Sequence, residues 1–381
     1  MRILFVDDPD GLVRALAAVD APVVGVDVER ADAPRYFRRA ALIQVGVPDA
    51  VVLIDSLALD PVPELTAFLA GRTAVLHAIH NDLEPLRAAG VDVGPVEDTA
   101  VAAAILGLPI GLDPLLQEVL GVALSADKDR FQRADWEQRP LPGDMAAYAA
   151  GDVTHLPPLW SALHDRLMAA QRTIWYEEER DHVVATAFDE TRDWTRTRGS
   201  GRLTPGQRAV LRSLWEEREA IAREYDLAPN RVLREPALLD LAQNPAADAR
   251  DLIRRNQRRG RPSRVHADRL LAAAEAGVAA DPEPREASGG RWTAQQRAAY
   301  DAMRRVRAEL AAELGLDAGV LCPSRALYGP ARGAPSSPQE LVDQAGLRRW
   351  QAGLLADVLW AAYQEAITSD VADEEVDPPA P

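Results

Sequence analysis

Residues 23–29, Val-Val-Gly-Val-Asp-Val-Glu, predict a strand that ends in two carboxylates. Side chains alternate between the two faces of a strand, so Asp27 and Glu29 point to the same side. Two acids side by side repel each other, and a sheet gains no stability from such a pair. A divalent cation is the commonest reason to bring them together, because hard cations such as Mg²⁺ take oxygen ligands. An exposed strand end is the plain alternative.

The length and composition predict a globular protein with two or three domains. The chain has 381 residues, of which 47% are hydrophobic and 27% charged. No apolar run reaches the roughly 18 residues needed to span a bilayer, and the N-terminus meets acidic residues too soon for a signal peptide. Cys322, the only cysteine, cannot form an internal disulfide. These features predict a cytoplasmic protein.

The charge is distributed unevenly along the chain. The net charge of −16 argues at first sight against nucleic acid as a partner. However, residues 1–172 carry a balance of −11, residues 202–273 carry +5, and residues 367–381 hold five acids and no base. An acidic first domain agrees with a carboxylate-lined metal site. The last stretch predicts an acidic, disordered tail.

The first 172 residues predict an α/β domain with a mixed sheet, because strands come first and helices then interleave and dominate. The periodicity predicts strands at 2–6, 23–29, 40–47, 50–55 and 74–79, and helices at 9–20, 62–70, 82–89, 98–106, 112–120, 143–150 and 152–170. Beyond a linker at 173–200, only helical periodicity follows.

An internal repeat divides the helical part of the chain. Eight residues of 204–227 recur 89 positions later without a gap, including Thr204 and Gln207, which return as Thr293 and Gln296. Two copies of one small helical module explain the repeat. If the second copy is a separate module, a chain that ends before residue 287 is expected to stay folded and active. The predicted boundaries are 1–172, a linker at 173–200, a first module at 201–275, a linker at 276–290, a second module at 291–366 and the tail at 367–381.

Two further positions in the first domain offer acids to the same cation. Asp82 follows a predicted strand and opens a helix, where its plain role is an N-cap worth about 1 kcal/mol. Asn81 beside it can serve as the cap instead, which leaves one of the two side chains for other work. Tyr148 and Asp152 lie four residues apart and share one helix face. A core tyrosine beside a surface aspartate is the plain alternative there.

The histidines offer a rival metal site. His77 and His80 have a spacing that suggests zinc. On a predicted strand, however, residues i and i+3 face opposite sides, so the sequence argues against this site.

Taken in order, Asp27-x-Glu29, Asp82 and Tyr148-x-x-x-Asp152 resemble the three exonuclease motifs of the DEDD superfamily, in its tyrosine subclass. The flanking segments are similar to those of the ribonuclease D family, and the two helical modules look like its HRDC domains. These segments are Ala41-Leu-Ile-Gln44, Leu53-Ile-Asp55, Leu76-His-Ala78, Glu97-Asp-Thr99, Arg133-Ala-Asp-Trp136 and Arg139-Pro-Leu141. The resemblance covers residues 1 to about 366. It departs from the family at Val28, where threonine is usual, and in a Gly/Pro/Ser-rich loop at 329–338.

The resemblance implies an α/β ribonuclease H-like 3′–5′ exonuclease domain followed by two all-α HRDC-type domains. It implies a metal-dependent exoribonuclease that trims structured RNA with a free 3′ end, such as tRNA precursors, and releases 5′-mononucleotides. Two divalent ions, Mg²⁺ or Mn²⁺, would be held by Asp27, Glu29, Asp82 and Asp152, with Asp27 bridging them and Tyr148 orienting the attacking water. We expect a monomer. A DNA-directed 3′–5′ exonuclease and a non-catalytic RNA-binding adaptor stay open as alternatives.

Two groups of basic residues are candidates for contacts with RNA phosphates. Lys128, Arg130 and Arg133 precede the third motif. Residues 250–269 hold eight arginines against two acids, and like charges at i, i+4 are unfavourable without an anionic partner. The candidates in this stretch are Arg254, Arg255, Arg258 and Arg259. A solvated helix face is the plain alternative.

Overall fold

A six-stranded mixed sheet forms the centre of the N-terminal domain in the computed structural model. The strands are β1 (Arg2–Val6), β2 (Val23–Arg30), β3 (Ala40–Val47), β4 (Ala50–Ile54), β5 (Thr73–Leu76) and β6 (Val96–Asp98). Their order is β1-β4-β3-β2-β5-β6. β3 is antiparallel to both of its neighbours and the other pairs are parallel. The predicted mixed sheet is therefore confirmed, and the carboxyl ends of five strands meet at one edge.

The structure describes residues 1–30, 35–37, 39–124, 128–131, 134–187, 192–256, 263–284, 292–368 and 375–376. Within these ranges, no helix combines the length and hydropathy that crossing a membrane requires.

Helices cover both faces of the sheet. They are α1 (Pro9–Leu16), α2 (Val62–Leu69), α3 (Leu83–Ala88), α4 (Thr99–Leu106), α5 (Leu112–Leu120), α6 (Lys128–Phe131), α7 (Gly143–Thr154), α8 (Leu156–Ala169) and α9 (Thr173–Thr186). Val24, Val26 and Val28 of β2 are buried on one face together with apolar residues of α1, α2 and α3. The other face packs against α4, α5, α7 and α8. Alternation along β2 therefore leaves Asp27 and Glu29 on the side of α7.

Two helical modules follow. The first contains α10 (Pro205–Glu224), α11 (Pro229–Val232), α12 (Glu235–Gln243), α13 (Ala249–Arg255) and α14 (Arg264–Ala279), and the second contains α15 (Ala294–Leu314), α16 (Ala318–Leu321), α17 (Tyr328–Gly333), α18 (Pro338–Gln344) and α19 (Arg349–Thr368). Thr204 and Gln207 form a reciprocal capping box at the start of α10, and Thr293 and Gln296 form the same box at the start of α15. The repeated residues thus begin the long first helix of each module.

The expected linker at 173–200 needs correction, because its first half is the helix α9. Tyr176 is 2% exposed, and its hydroxyl donates to Glu97 and accepts from the Asp98 N–H. Burial of this aromatic ring and its two hydrogen bonds explain why the segment is ordered against the first domain. The second expected linker, 276–290, likewise starts inside a helix, since α14 continues to Ala279.

Three expectations about strands also need correction. The strand predicted at 74–79 ends at Leu76, and the three-residue β6 was missed because it is too short to show alternation. In the helical region, β7 (Trp292–Thr293) pairs with β8 (Glu375–Val376), which lies in the expected disordered tail. Residues 369–374 and 377–381 of that tail lie outside the described residues.

Candidate active site

Close packing of α7 on β2 builds the site. Gly25 lies on the same strand face as Asp27 and Glu29, and a Cβ atom at this position would be 2.3 Å from the carbonyl oxygen of Val153. Only glycine therefore lets the helix approach the strand so closely. The neighbouring residue of the helix, Asp152, is carried in this way to the two acids of β2.

Three of the four predicted acids meet at this point. One carboxylate oxygen from each of Asp27, Glu29 and Asp152 lies within 4.8 Å of the corresponding oxygens of the other two. All three residues are partly buried, and in the part of the chain that the structure describes they are the only such group of three or more potential ligands. The exposed strand end considered above is therefore not what the structure shows.

The electrostatics of these carboxylates favour a bound cation. Burial raises the pKa of Asp27 to about 6. Burial, together with the charges of Asp27 and Asp152, also raises the pKa of Glu29 well above its ordinary value. Ionised carboxylates held this close repel one another, and a divalent cation would relieve the repulsion. A set of hard oxygen donors fits Mg²⁺ or Mn²⁺.

Asp82 is the fourth acid, and it is 4% exposed at the start of α3. It occupies the N-cap position, but its side chain accepts no capping hydrogen bond. Burial and, next, the charge of Asp27 raise its pKa well above the ordinary value. The capping role is thus absent, and Asp82 interacts electrostatically with the acids of β2.

Asp98, to which the sequence reasoning assigned no role, holds the loop that carries Asp82. Its carboxylate accepts hydrogen bonds from the backbone N–H groups of Ala78 (3.0 Å) and Ile79 (2.9 Å), and it caps α4 through the Ala100 N–H (2.8 Å). Ala78 has a φ of 61°, a left-handed conformation that costs about 1–2 kcal/mol for a residue with a Cβ atom. The hydrogen bonds to Asp98 help to offset that cost. An aspartate at the start of a predicted helix is an N-cap signal. This signal would have predicted that Asp98 caps α4, but not that it holds the loop of Asp82.

Tyr148 lies beside Asp152 and hydrogen-bonds to it. Burial, followed by the charges of Asp152 and Glu29, raises the pKa of the phenol, so it stays protonated and acts as a donor. Its ring packs against Phe131 at 4.9 Å between centroids. Tyr148 and Asp152 line a cavity of about 340 Å³, together with Leu124, Phe131 and Arg130 among other residues. The pair is therefore part of a concave site and not merely a core tyrosine beside a surface acid.

A larger cleft of about 710 Å³ opens at the same edge of the sheet. It is lined by Tyr36, Phe37 and Arg39 before β3, by Glu84 of α3 and by Arg192, among other residues. None of the four acids lines it. Choosing the active site by cavity volume alone would therefore select the wrong cavity.

The reason given against a zinc site at His77 and His80 was wrong, because the two residues do not lie on a strand. β5 ends at Leu76, and His80 lies in a short 3-10 helix, Ile79–Asn81. The ring nitrogen Nδ1 of His77 lies 2.9 Å from the Thr99 hydroxyl. Neither histidine belongs to the group of potential metal ligands found among the described residues.

Two of the predicted RNA-binding arginines have an anionic partner within the protein. Arg254 and Arg255 both form ion pairs with Asp251, at 2.6 and 2.7 Å. The argument that neighbouring arginines in this helix lack an anionic partner is therefore wrong for these two residues. Arg258 and Arg259 lie outside the described residues.

The basic residues near the third motif are only partly described. Arg130 pairs with Asp144 at 2.8 Å and stays 65% exposed. Lys128 begins α6, but its side chain is not among those described, and Arg133 lies outside the described residues.

Comparisons with known proteins agree with this geometry. A 3′–5′ exonuclease family model matches residues 3–168, and an HRDC domain model matches residues 207–273. Ribonuclease D of Pseudomonas paraeruginosa is 32% identical over 355 residues, which cover 91% of this chain and 93% of that protein.

Solved structures show the same similarity along nearly the whole chain. The crystal structure of Escherichia coli RNase D, described as an exoribonuclease involved in structured RNA processing, matches with a TM-score of 0.74 and 26% identity over 96% of this chain and 99% of its own. A protein from Bifidobacterium adolescentis shares the fold, with a TM-score of 0.77 and 21% identity over 95% of this chain and 99% of its own. The chain therefore belongs to the ribonuclease D family of metal-dependent 3′–5′ exoribonucleases.

Proposed function

We propose that this enzyme trims the 3′ ends of structured RNA, such as tRNA precursors, and releases 5′-mononucleotides. The observation that carries the proposal is the meeting of Asp27, Glu29 and Asp152 within 4.8 Å, with the buried Asp82 acting on them electrostatically. The description of the E. coli relative as an enzyme of structured RNA processing supports the choice of substrate. We also propose that the enzyme acts as a monomer in the cytoplasm.

The four acids would hold two divalent ions, Mg²⁺ or Mn²⁺. Asp27 would contribute to holding both ions, because among the charged neighbours its charge raises the pKa of both Glu29 and Asp82 most, which places it between them electrostatically. Glu29, Asp82 and Asp152 would complete the ligand set. When bound, the ions lower the pKa of the attacking water and stabilise the charge that develops on the departing 3′ oxygen.

Tyr148 would orient the attacking water. Its phenol keeps its proton and donates a hydrogen bond to Asp152, so the phenol oxygen has lone pairs left to accept a hydrogen bond from a water at the edge of the acid cluster. Hydrolysis forms a bond from the water oxygen to phosphorus and breaks the bond from phosphorus to the 3′ oxygen. A positioned water reacts faster because its orientation is fixed before the transition state.

The cavity beside Tyr148 is suited to the terminal nucleotide. Leu124 and Phe131 offer an apolar wall on which a base can pack, and Arg130 at the rim offers a positive charge to a phosphate. Lys128 and Arg133, which precede the third motif in the sequence, would contribute further phosphate contacts.

Further phosphates would bind the first helical module through Arg254, Arg255, Arg258 and Arg259. Arg254 is the stronger candidate of the two described residues, since its side chain is 72% exposed whereas that of Arg255 is 35% exposed.

A comparison of substrates tests this proposal. An RNA hairpin with a single-stranded 3′ tail, a DNA of the same sequence and the unpaired tail alone would be incubated with Mg²⁺ or Mn²⁺. We expect shortening of the RNA from its 3′ end with 5′-mononucleotides as products. Preference for DNA would move the assignment to a DNA-directed exonuclease. Binding without cleavage on any substrate would indicate the RNA-binding adaptor.

A further inference from the structure

Gln44 is a buried polar residue whose side-chain amide has no hydrogen-bond partner among the residues that the structure describes. It lies in the middle of β3 and is 0% exposed, and within those residues neither its Oε1 nor its Nε2 forms a hydrogen bond. Leaving a buried amide unsatisfied costs free energy, so the residue does not contribute to folding stability in this state. A role in the active site therefore explains the buried amide of Gln44 better than a role in folding does.

The register of the sheet places Gln44 directly opposite Asp27. Residues opposite each other on antiparallel strands point to the same face, with Cβ atoms about 4.5–5.5 Å apart. The Gln44 amide is thus on the side of α7, within side-chain reach of the Asp27 carboxylate. On its other flank, Gln44 pairs with Leu53 of β4, which offers no polar group from its side chain.

The chemistry of an amide suits this position. Gln44 is fully buried, so it cannot touch RNA and acts only through a neighbour. A lysine or arginine here would neutralise the acids and compete with the divalent ions, whereas an amide adds an N–H donor without adding charge. A hydrogen bond from an outer residue to a ligating carboxylate fixes its orientation and strengthens metal binding.

We propose that Gln44 is a positioning residue whose Nε2, unpaired among the described residues, donates a hydrogen bond to the Asp27 carboxylate when divalent metal ions are bound and so orients that carboxylate for them. The inference rests on the proposed role of Asp27 as a metal ligand. It predicts that Gln44 contributes to metal affinity and not to the stability of the metal-free protein.

The test compares Gln44→Met and Gln44→Leu, two apolar replacements of similar size, with the full-length wild type. Calorimetric titration with Mn²⁺ in the absence of RNA measures metal affinity, and urea unfolding in chelator measures metal-free stability. We expect Mn²⁺ affinity to fall by about tenfold or more, in the range known for outer-sphere partners. The metal-free urea midpoint should be unchanged or higher, because the unsatisfied amide is gone.

Gln351→Leu is the matched control. Gln351 is also 0% exposed, but its amide is satisfied, since Nε2 donates to the Val320 carbonyl oxygen and Oε1 accepts from the Arg348 N–H. This variant should have a lower urea midpoint and bind Mn²⁺ like the wild type.

Wild-type Mn²⁺ affinity in both Gln44 variants would overturn the proposal. A metal-free urea midpoint that falls as far as that of the control would also overturn it, because it would show a structural role. Asp27→Asn separates this outcome from failure of the proposed function. If the wild type and Asp27→Asn bind Mn²⁺ equally, the metal site itself is wrong, whatever Gln44 does.

Discussion

The two helical modules share a sequence repeat but meet the exonuclease domain in different ways. The first module has an apolar core of its own. Tyr36 of the exonuclease domain packs against the edge of this core. Among the described residues, Asp226 adds a polar tie, because its carboxylate pairs with Arg35 at 3.0 Å and accepts from the backbone N–H groups of Tyr36 and Phe37. The Arg35 and Asp226 side chains are 30% and 35% exposed, so water and salt reach this contact.

The second module, in contrast, shares one continuous apolar core with the exonuclease domain. Trp350 of α19 stacks on Trp175 of α9 with ring centroids 5.1 Å apart. Arg172 donates to the carbonyl oxygen of Leu314, at the end of α15. The module is therefore fixed to the exonuclease domain by the same kind of packing that stabilises the domain itself.

This difference indicates separate tasks for two similar units. Helix α9 connects the second module to the active site, because Tyr176 on the same helix hydrogen-bonds to Asp98, which holds the loop of Asp82. Through these contacts the second module supports the loop that carries Asp82. The first module, tied by partly exposed polar contacts and rich in arginine, is the part that we propose binds RNA.

The largest expected effect comes from removing the second module. A chain ending before residue 287 would expose Trp175 and the other residues of the core that the exonuclease domain shares with the second module, at a cost of about 5 kcal/mol or more. We now expect an insoluble or much less stable product, contrary to the expectation from the sequence. Urea unfolding and a solubility assay check this. A soluble fragment with full exonuclease activity would show that the shared core is dispensable.

The ion pair between Arg139 and Asp55 is largely buried and should therefore contribute more to stability than the partly exposed pair between Arg35 and Asp226. Arg139 binds both carboxylate oxygens of Asp55, at 2.5 and 2.7 Å, and Asp55 is 3% exposed. Burial opposes ionisation, but hydrogen bonds from Arg139 and from the Leu57 N–H outweigh it and lower the pKa of Asp55 below 3.8. Asp55→Asn should cost about 3 kcal/mol at pH 7.

The pH dependence of this effect follows from the lowered pKa. A carboxyl group with a depressed folded-state pKa contributes stability above its unfolded pKa and loses it as the pH falls through the folded value. The difference between wild type and Asp55→Asn in urea unfolding should therefore be constant from pH 5 to 7 and shrink below about pH 4. A difference that does not change with pH would mean that shape, not charge, determines the effect.

The sequence predicted the site acids better than the residues that support them. Alternation along β2 was enough to put Asp27 and Glu29 on one face, because it depends only on local geometry. The position of Gln44 opposite Asp27 depends on the register between β2 and β3, and the left-handed Ala78 has no local signal. The order in α9 comes from tertiary contacts of Tyr176, which no periodicity within residues 173–200 reveals.

Breaking the contact of Asp226 with the exonuclease domain should change the KM for RNA more than the free energy of unfolding. Asp226→Ala removes a partly exposed ion pair that water reaches, and it should change the free energy of unfolding by about 1 kcal/mol. We expect a higher KM for a long structured RNA and unchanged turnover of a short oligomer, because only the long substrate needs both domains. Equal effects on both substrates would argue against a separate RNA-handling role.

The smallest expected effect is that of one exposed arginine. Arg254→Gln should weaken RNA binding about equally for all sequences and reduce the slope of log affinity against log salt by about 1, the value for one phosphate contact. Fluorescence anisotropy at several salt concentrations measures the slope, and Arg212→Gln, on an exposed part of α10, serves as the control. An unchanged slope would remove Arg254 from the interface.

The most direct test of the account is degradation of a 5′-labelled RNA with a free 3′ end, in Mg²⁺ or Mn²⁺ and in chelator. Wild type would be compared with Asp27→Asn and with Asp165→Asn, which changes an exposed acid of α8 away from the cluster. We predict a metal-dependent ladder that shortens from the 3′ end for wild type and Asp165→Asn, and a loss of at least a hundredfold in rate for Asp27→Asn, typical of losing a central electrostatic group. Undiminished cleavage by Asp27→Asn, or cleavage in chelator, would contradict the carboxylate metal site.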